Sequence, residues 1–374
     1  MYEPEEMKKA YEKVEHGEAK IAAIRSAIEA ADREGDIPFQ IFFRMDLCKE
    51  SEFYGNSLDE MIVFPEIMSL VDRYPDADIT SFDAGIYRDN TDHMLWIYKW
   101  ILSTCTDYYQ IPMEDCLRFY EDYKTRLTAY GYNLKTYYKS KSGFYEYIDQ
   151  AVSEEAFRQF ERIPRDGNSD CKACDRNAVI KFYLDKDDLP KADALARDIE
   201  NFTLTCRERM DAWLRLKKHY MEYHMDHKEF EKAVAYSRLI KRHLGQKTEY
   251  DCWDEVLYCY AHVDIGKALQ LYKQHWKEWE KDMSPYGFFD TSKYICCFFL
   301  RLGEHLKDGT VKLSLDESFP LYREDGKYRI EALYQYYYDR ARNIAEKFDA
   351  RNGTDHFCKD LEEIVQYEKE LSLS

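Results

Sequence analysis

Hydrophobic residues recur at intervals of three and four along most of the chain, which is the spacing of one face of an α-helix. In residues 4–34 this pattern includes Val14, Ile21, Ile24 and Ile28 and predicts one helix that ends before Gly35. The same spacing predicts further helices in the first half of the chain, at about 38–52, 58–74, 91–110, 112–131, 134–150 and 153–163. The first half is therefore expected to be helical, although its helices do not repeat a common unit.

Local signals refine this prediction. Ser57 and Glu60 are three residues apart and predict a capping box that opens the helix at Leu58. Pro65 lies inside that helix and should kink it, because proline lacks the backbone N–H that the helix uses. Asn90, Thr91 or Asp92 is expected to cap the helix that follows. The polar segment 75–89 between the two helices is predicted to be a loop.

One short phrase occurs three times in the second half of the chain. Residues 188–192, 229–233 and 264–268 each contain an acidic residue, an apolar residue, a variable one, and then Lys-Ala. Helix-like segments flank every copy, so each phrase is predicted to mark the bend of a helical hairpin, where the small alanine permits close helix packing. The three alanines are 41 and 35 residues apart, a spacing typical of stacked helical-hairpin repeats.

Residues 163–170 combine Pro, Gly, Asn and Ser between helical segments and are the clearest linker in the sequence. We therefore predict an N-terminal helical region, 1–164, and a repeat region with C-terminal capping helices, 165–374. Near the end of the chain, alternating apolar residues at 311–315 predict an extended segment or short strand. Long helices are expected over about 327–351 and 355–371.

Composition narrows the possible functions. The net charge of −18 argues against nucleic acid and anionic membranes as partners, because both require clustered positive charge, and leaves basic protein segments as partners. The 33 tyrosines predict half-buried packing or, alternatively, a tyrosine-lined binding groove. No run of about 18 apolar residues and no apolar segment at the N-terminus occurs in the sequence, so a cytoplasmic protein is expected.

One motif has the spacing of a metal site. Cys171 and Cys174 form a CxxC pair, and Cys206 lies near the start of the next predicted hairpin. Stacked hairpins bring successive repeat starts close together, so the three thiols could converge on a zinc ion, although the sequence offers no obvious fourth ligand. Buried, packed thiols and a redox pair are the alternatives.

Other chemistry-bearing residues have ordinary explanations beside the functional ones. His219, His224 and His227 cluster in the second hairpin, yet they lack the HExxH pattern and are expected at the surface or at helix ends. Asp349 and Arg351 could bind a ligand or simply belong to a helix end that Gly353 terminates. The phosphate-binding, dinucleotide-binding and serine-hydrolase motifs are absent from the sequence, so we expect no catalytic activity.

The three hairpins resemble degenerate tetratricopeptide repeats. Tyr183 precedes Ala192 by nine residues, as the tyrosine of that family precedes its bend alanine, whereas His224 and Cys259 occupy this position in the other two copies. The phrases at 171–174 and 348–353 also resemble poorly characterised bacterial tetratricopeptide-like proteins, over about 165–374. The overall architecture, in which an irregular helical region precedes the repeats, is similar to that of bacterial peptide-pheromone receptors.

The resemblance implies an all-α fold, with a right-handed α-solenoid of helical hairpins after the irregular N-terminal part. On this basis we expect a non-catalytic scaffold that binds a protein or peptide on a concave, acidic, tyrosine-lined face. The alternative is a regulatory protein that senses a ligand or metal through Cys171, Cys174 and Cys206.

Overall fold

The computed structural model describes residues 2–77, 79, 87–206, 209–243, 252–281 and 284–373. Over these residues the regular structure is helical except for two short strands, which confirms the predicted all-α class. The chain divides into two compact units, Met1–Ser169 and Asp170–Ser374. The sequence predicts this boundary between residues 164 and 165. No helix in the described ranges is long and apolar enough to cross a membrane.

The first unit contains eight helices among the described residues. They are α1 (Pro4–Tyr11), α2 (Glu18–Glu34), α3 (Ile37–Tyr54), α4 (Leu58–Arg73), α5 (Asn90–Asp107), α6 (Met113–Ala129), α7 (Lys135–Tyr145) and α8 (Gln150–Arg162). Their core is strongly aromatic, because Phe43, Phe64, Tyr98, Tyr123 and Phe144 are all almost fully buried. Many aromatic residues of this unit are therefore core packing.

Two predictions for this unit were wrong in detail. The expected single helix over 4–34 is broken after Tyr11, and α2 begins beside Gly17, whose φ of +107° is disfavoured for other residues. The expected capping box is absent, since Ser57 Oγ donates to Glu52 and Asn56 Oδ1 accepts from the Leu58 N–H instead. Burial accounts for the second error, because Glu60 packs inside the unit rather than reaching back to Ser57.

Three further predictions concern Pro65, the cap of α5 and the loop at 75–89. Helix α4 continues through Pro65. Asp89, one residue before the three predicted candidates, caps α5 by accepting a hydrogen bond from the Asp92 N–H. Much of the predicted loop at 75–89 lies outside the described residues, namely 78 and 80–86.

The segment predicted as a linker is held against the first unit by Asn168. Its side-chain Oδ1 accepts hydrogen bonds from Tyr123 at 2.9 Å and Thr136 at 3.0 Å. Its backbone carbonyl accepts a hydrogen bond from Lys99 Nζ at 2.6 Å. Asn168 is buried, so the Pro-Gly-Asn-Ser composition here encodes a tight, well-bonded turn as well as a junction.

The second unit begins with three helical hairpins. They are α9 (Lys172–Asp185) with α10 (Leu189–Glu200), α11 (Asp211–Asp226) with α12 (Phe230–His243), and α13 (Trp253–Val263) with α14 (Ile265–His275). The repeated phrase lies at each bend, as predicted. Asp188 and Asp264 cap α10 and α14 by accepting backbone N–H bonds, and Ala192, Ala233 and Ala268 are fully buried.

The remainder of the second unit combines long helices with a β-hairpin. Its elements are α15 (Pro285–His305), β1 (Thr310–Lys312), β2 (Lys327–Arg329), α16 (Ile330–Asn352) and α17 (His356–Leu373). The two strands pair antiparallel, with Val311 opposite Tyr328. The expected strand at 311–315 thus exists in shortened form, whereas residues 327–329, predicted as helix, are its partner strand.

Candidate metal centre

The start of α9 places two of the three predicted thiols together. Cys171 is the N-cap of the helix and adopts an extended backbone conformation, while Cys174 lies in the first turn. The Cys174 N–H donates a hydrogen bond to Cys171 Sγ over 3.3 Å, as a side chain at the N-cap position normally accepts from this turn. The CxxC spacing therefore brings both sulfurs to the N-terminal end of one helix.

The turn that follows α10 positions the third thiol, that of Cys206. Phe202 has a φ of +55°, and the backbone N–H groups of Thr203 and Leu204 both donate to the carbonyl of Asp198. This turn brings Cys206 back towards α9, where its Sγ lies 3.5 Å from Cys171 Sγ and 3.6 Å from Cys174 Sγ. All three sulfurs lie within 4.8 Å of one another.

These distances match a metal-thiolate site. Zinc binds thiolate sulfur at about 2.3 Å in tetrahedral geometry, which separates two ligand sulfurs by about 3.8 Å. The three cysteines are half-buried, so the site is sheltered but can be reached from solvent. The group contains no fourth His, Cys, Asp or Glu among the described residues.

The surroundings of Cys171 and Cys174 shift the pKa values of the two thiols in opposite directions. Burial disfavours ionisation of Cys171, but hydrogen bonds from the Cys174 N–H and from the neighbouring thiols outweigh it and lower the pKa of Cys171. Burial and the hydrogen bond with Cys171 raise the pKa of Cys174, against the opposing positive charge of Arg215. Cys171 is thus the first thiol of the pair to ionise, because a helix N-terminus stabilises a thiolate, and the thiolate is the form of cysteine that binds a metal.

The three histidines of the second hairpin form separate pairs. His219 Nδ1 lies 3.3 Å from Glu222 Oε2, and His224 Nδ1 lies 2.6 Å from Glu229 Oε2. His227 Nε2 lies 3.2 Å from Asp187 Oδ1. They do not share a metal-binding group in the described part of the chain.

Asp349 caps the first turn of helix α17. Its carboxylate accepts backbone hydrogen bonds from Phe357 at 3.0 Å and Cys358 at 2.9 Å, which caps the first turn of α17. Arg351 lies 5.3 Å from the ring centre of Phe348 and donates to Asn352. The helix-end interpretation of this phrase is therefore confirmed.

A group of charged residues between α11, α13 and α15 was missed by the sequence analysis. Lys218, Glu222 and Asp226 are spaced four residues apart along one face of α11, and Lys218 Nζ lies 3.0 Å from Glu255 Oε1 of α13. The i, i+4 spacing was a usable signal, but the chain contains 72 acidic residues and such pairs are frequent in it. Only the packing of the helices distinguishes this group.

Comparison with known proteins found no family model that matches the chain, and no matching curated protein or solved structure.

Proposed function

We propose that this chain is a non-catalytic, metal-binding helical scaffold in which Cys171, Cys174 and Cys206 bind one zinc ion. The observation that carries the proposal is the convergence of three sulfurs within 4.8 Å, from two segments more than 30 residues apart in sequence. Thiolates are soft ligands that select zinc over magnesium or calcium. All eleven cysteines are free thiols, which favours the cytoplasm, where thiols stay reduced.

The ion would join the beginning of α9 to the segment that leads into α11. It would thereby fix the first hairpin of the repeat region against the second, and its loss would loosen that junction. This arrangement suits either a structural zinc or a sensor that responds to zinc availability. We further propose that the repeat region is a tetratricopeptide-like, right-handed α-solenoid, which an experimental structure would test.

Metal analysis tests the zinc proposal. The protein, purified without chelator, should contain about one zinc per chain, and cobalt substitution should give the absorption band of thiolate-to-metal charge transfer. Cys171→Ser, Cys174→Ser and Cys206→Ser should each reduce the zinc content and the band. Cys358→Ser, which removes a half-buried thiol outside the group, is the control and should leave both unchanged. Substoichiometric zinc together with no cobalt-thiolate band would refute the proposal.

The second candidate function is binding of a protein or peptide with a basic segment. It is supported by the acidic balance of the chain, whose net charge is −18, and by Asp226 on α11, which is exposed to solvent. Affinity capture from the source cells, followed by washing at low and high salt, tests it. A specific partner released at high salt is expected, and the absence of any specific partner would count against the scaffold function.

A further inference from the structure

The three thiols of the candidate metal centre form a triangle of sulfur atoms. Cys206 Sγ lies 3.5 Å from Cys171 Sγ and 3.6 Å from Cys174 Sγ, and all three sulfurs lie within 4.8 Å of one another. No other group of three or more His, Cys, Asp or Glu ligand atoms lies this close together in the described part of the chain. The triangle therefore offers three soft ligands to a single atom.

The two Cys206 distances are shorter than the separation that a tetrahedral zinc ion sets between its ligands. Two thiolates on zinc lie about 3.8 Å apart, because their bonds of about 2.3 Å meet at the tetrahedral angle. A three-coordinate atom that carries a lone pair has smaller angles between its bonds, so it holds its sulfur ligands closer together. Trivalent arsenic and antimony are atoms of this kind. The sulfur separations of 3.5 and 3.6 Å therefore favour a pyramidal centre.

The number of ligands favours the same centre. A structural zinc ion takes four protein ligands, whereas trivalent arsenic binds three sulfurs and its lone pair occupies the fourth position. The group formed by the described residues supplies three ligand atoms, from Cys171, Cys174 and Cys206. These three sulfurs would complete the coordination of trivalent arsenic by themselves.

The segment that carries the third sulfur is held in place by its own contacts. The carbonyl of Asp198 accepts hydrogen bonds from both the N–H and the hydroxyl of Thr203, each over 2.9 Å. Phe202, in the same turn, stacks on Trp213 of α11 with 6.3 Å between the ring centres. Binding of a ligand by Cys206 therefore does not have to order a loose segment first, which lowers the entropic cost of binding.

The site is accessible to a small neutral molecule. Cys171, Cys174 and Cys206 are half-buried, whereas seven of the other eight cysteines are buried. In water near pH 7, trivalent arsenic is a neutral hydroxide. The net charge of −18 therefore does not repel it, although this charge would repel an anion such as phosphate.

We propose that Cys171, Cys174 and Cys206 bind one atom of trivalent arsenic or antimony as a pyramidal tris-thiolate. Each bond from arsenic to a hydroxide oxygen breaks as a bond to sulfur forms, and the thiol proton leaves with the hydroxide as water. Three water molecules are released for each arsenic atom. Arsenic and sulfur keep their oxidation states, so the step needs no oxidant and no reductant.

This ligand deepens the function proposed above and rests on it in one respect, namely that the three thiols act together as ligands. It does not require that they bind zinc. Arsenic would exclude zinc, because both would use the same sulfurs. A sensor built on this site would therefore respond to a trivalent metalloid, through the junction between α9 and the segment that leads into α11.

Titration of the full-length protein with sodium arsenite tests the proposal. The protein is first freed of zinc with a chelator and reduced with a phosphine, since a dithiol reductant would compete for arsenic. Native mass spectrometry should show the gain of one arsenic atom and the loss of three hydrogen atoms. The near-ultraviolet absorption of arsenic–sulfur bonds should reach its plateau at one equivalent. A product that keeps a hydroxyl group on arsenic would show only two sulfur bonds and would overturn the three-sulfur site.

Two arsenic probes and matched variants identify the sulfurs. Loss of an outer-shell partner already costs about 10–100-fold in metal affinity, so Cys206→Ser should weaken arsenite binding by at least about tenfold. Phenylarsine oxide binds only two thiols, so Cys206→Ser should keep its affinity for this probe through Cys171 and Cys174. Cys358→Ser, which removes a half-buried thiol outside the group, should bind both probes like the unaltered protein.

A second variant keeps the test decisive if Cys206→Ser does not fold. Cys171→Ser removes a sulfur but leaves a favoured N-cap residue at the start of α9, so its helix should be retained. It should also lose arsenite affinity and keep phenylarsine oxide, through Cys174 and Cys206. Circular dichroism checks the fold of each variant. Unchanged arsenite affinity in a folded variant, or no arsenite binding at about tenfold molar excess, would overturn the proposal.

Zinc analysis and arsenite titration can succeed or fail independently. Arsenite binding by a protein with substoichiometric zinc and no cobalt-thiolate band would support the metalloid site and refute the zinc proposal alone. About one zinc per chain without arsenite binding would overturn the metalloid site and leave the zinc proposal in place.

Discussion

Glu368 on α17 is the most completely enclosed carboxylate of the second unit among the described residues that form ion pairs. It is fully buried, accepts a hydrogen bond from Tyr258 at 2.7 Å, and lies 2.9 Å from His262 Nε2. Arg301 Nε lies 3.8 Å from its other oxygen. The carboxylate therefore fastens the last helix to α13 and α15.

Removal of this carboxylate should destabilise the protein severely. We expect Glu368→Ala to lower the free energy of unfolding by about 3 kcal/mol, because the groups around it would remain buried without their partner. Urea unfolding followed by circular dichroism measures the change. Glu370→Ala, an exposed neighbour on the same helix, should change it by less than about 0.5 kcal/mol. Equal effects of the two substitutions would show that Glu368 does not act through burial.

Single residues were predictable where the sequence carried a spacing rule. The CxxC pair and Cys206 could be singled out because helical hairpins of known repeat length bring such positions together, and their sulfurs do lie in contact. Glu368 and Glu255 could not be singled out. Both are ordinary members of an acidic chain until tertiary packing encloses them, and burial of a polar residue leaves no local trace in sequence.

At the scale of elements, the β-hairpin depends on a glycine. Gly326 has a φ of +62°, and a Cβ atom at this position would lie 2.9 Å from the carbonyl oxygen of Leu313. That carbonyl is part of a backbone, so it cannot move aside without disturbing the pairing of β1 and β2. The hairpin thus requires a residue without a side chain directly before β2.

Two glycine substitutions should have opposite effects. Gly326→Ala should lower the free energy of unfolding by more than about 1 kcal/mol, because of the positive φ and the close approach. Gly143→Ala should raise it by about 0.5–1 kcal/mol, since Gly143 is an exposed helical residue with no atom near the new Cβ. Thermal and urea unfolding measure both changes. An unchanged free energy of unfolding in Gly326→Ala would contradict the role assigned to this glycine.

Most helices could be predicted because their apolar residues follow a period of 3.6, and the bends because the Lys-Ala phrase marks them. The strand at 327–329 could not. It has three residues, with one buried tyrosine between two exposed charged side chains, and it runs directly into α16, so its pattern merges with the helical one. The break before Gly17 was missed for a similar reason, since the flanking helices continue the same spacing.

At the scale of the whole molecule, two compact units should unfold as two cooperative blocks. The proposed zinc belongs to the second unit only, because residues 171, 174 and 206 all lie in it. A ligand that binds only the folded state stabilises by about 4 kcal/mol at a thousandfold excess over its dissociation constant. The metal should therefore affect one unit and leave the other unchanged.

Calorimetric unfolding with and without a zinc chelator checks this expectation. The chelator should lower the Tm of one transition by several degrees and leave the other in place. Cys206→Ser should show the lowered Tm without chelator and no further change when chelator is added. A chelator effect on both transitions, or the same effect in Cys206→Ser, would contradict the assignment of the metal to these thiols.

The hydrogen bonds of Asn168 determine where the chain can be divided into fragments. A fragment that stops at residue 164 would deprive Tyr123, Thr136 and Lys99 of acceptors that Asn168 supplies. A fragment that continues through Ser169 keeps all three bonds. A fragment made to express the first unit alone should therefore end at residue 169, five residues beyond the boundary that composition predicts. Residues 165–169 then complete the C-terminal end of the folded unit.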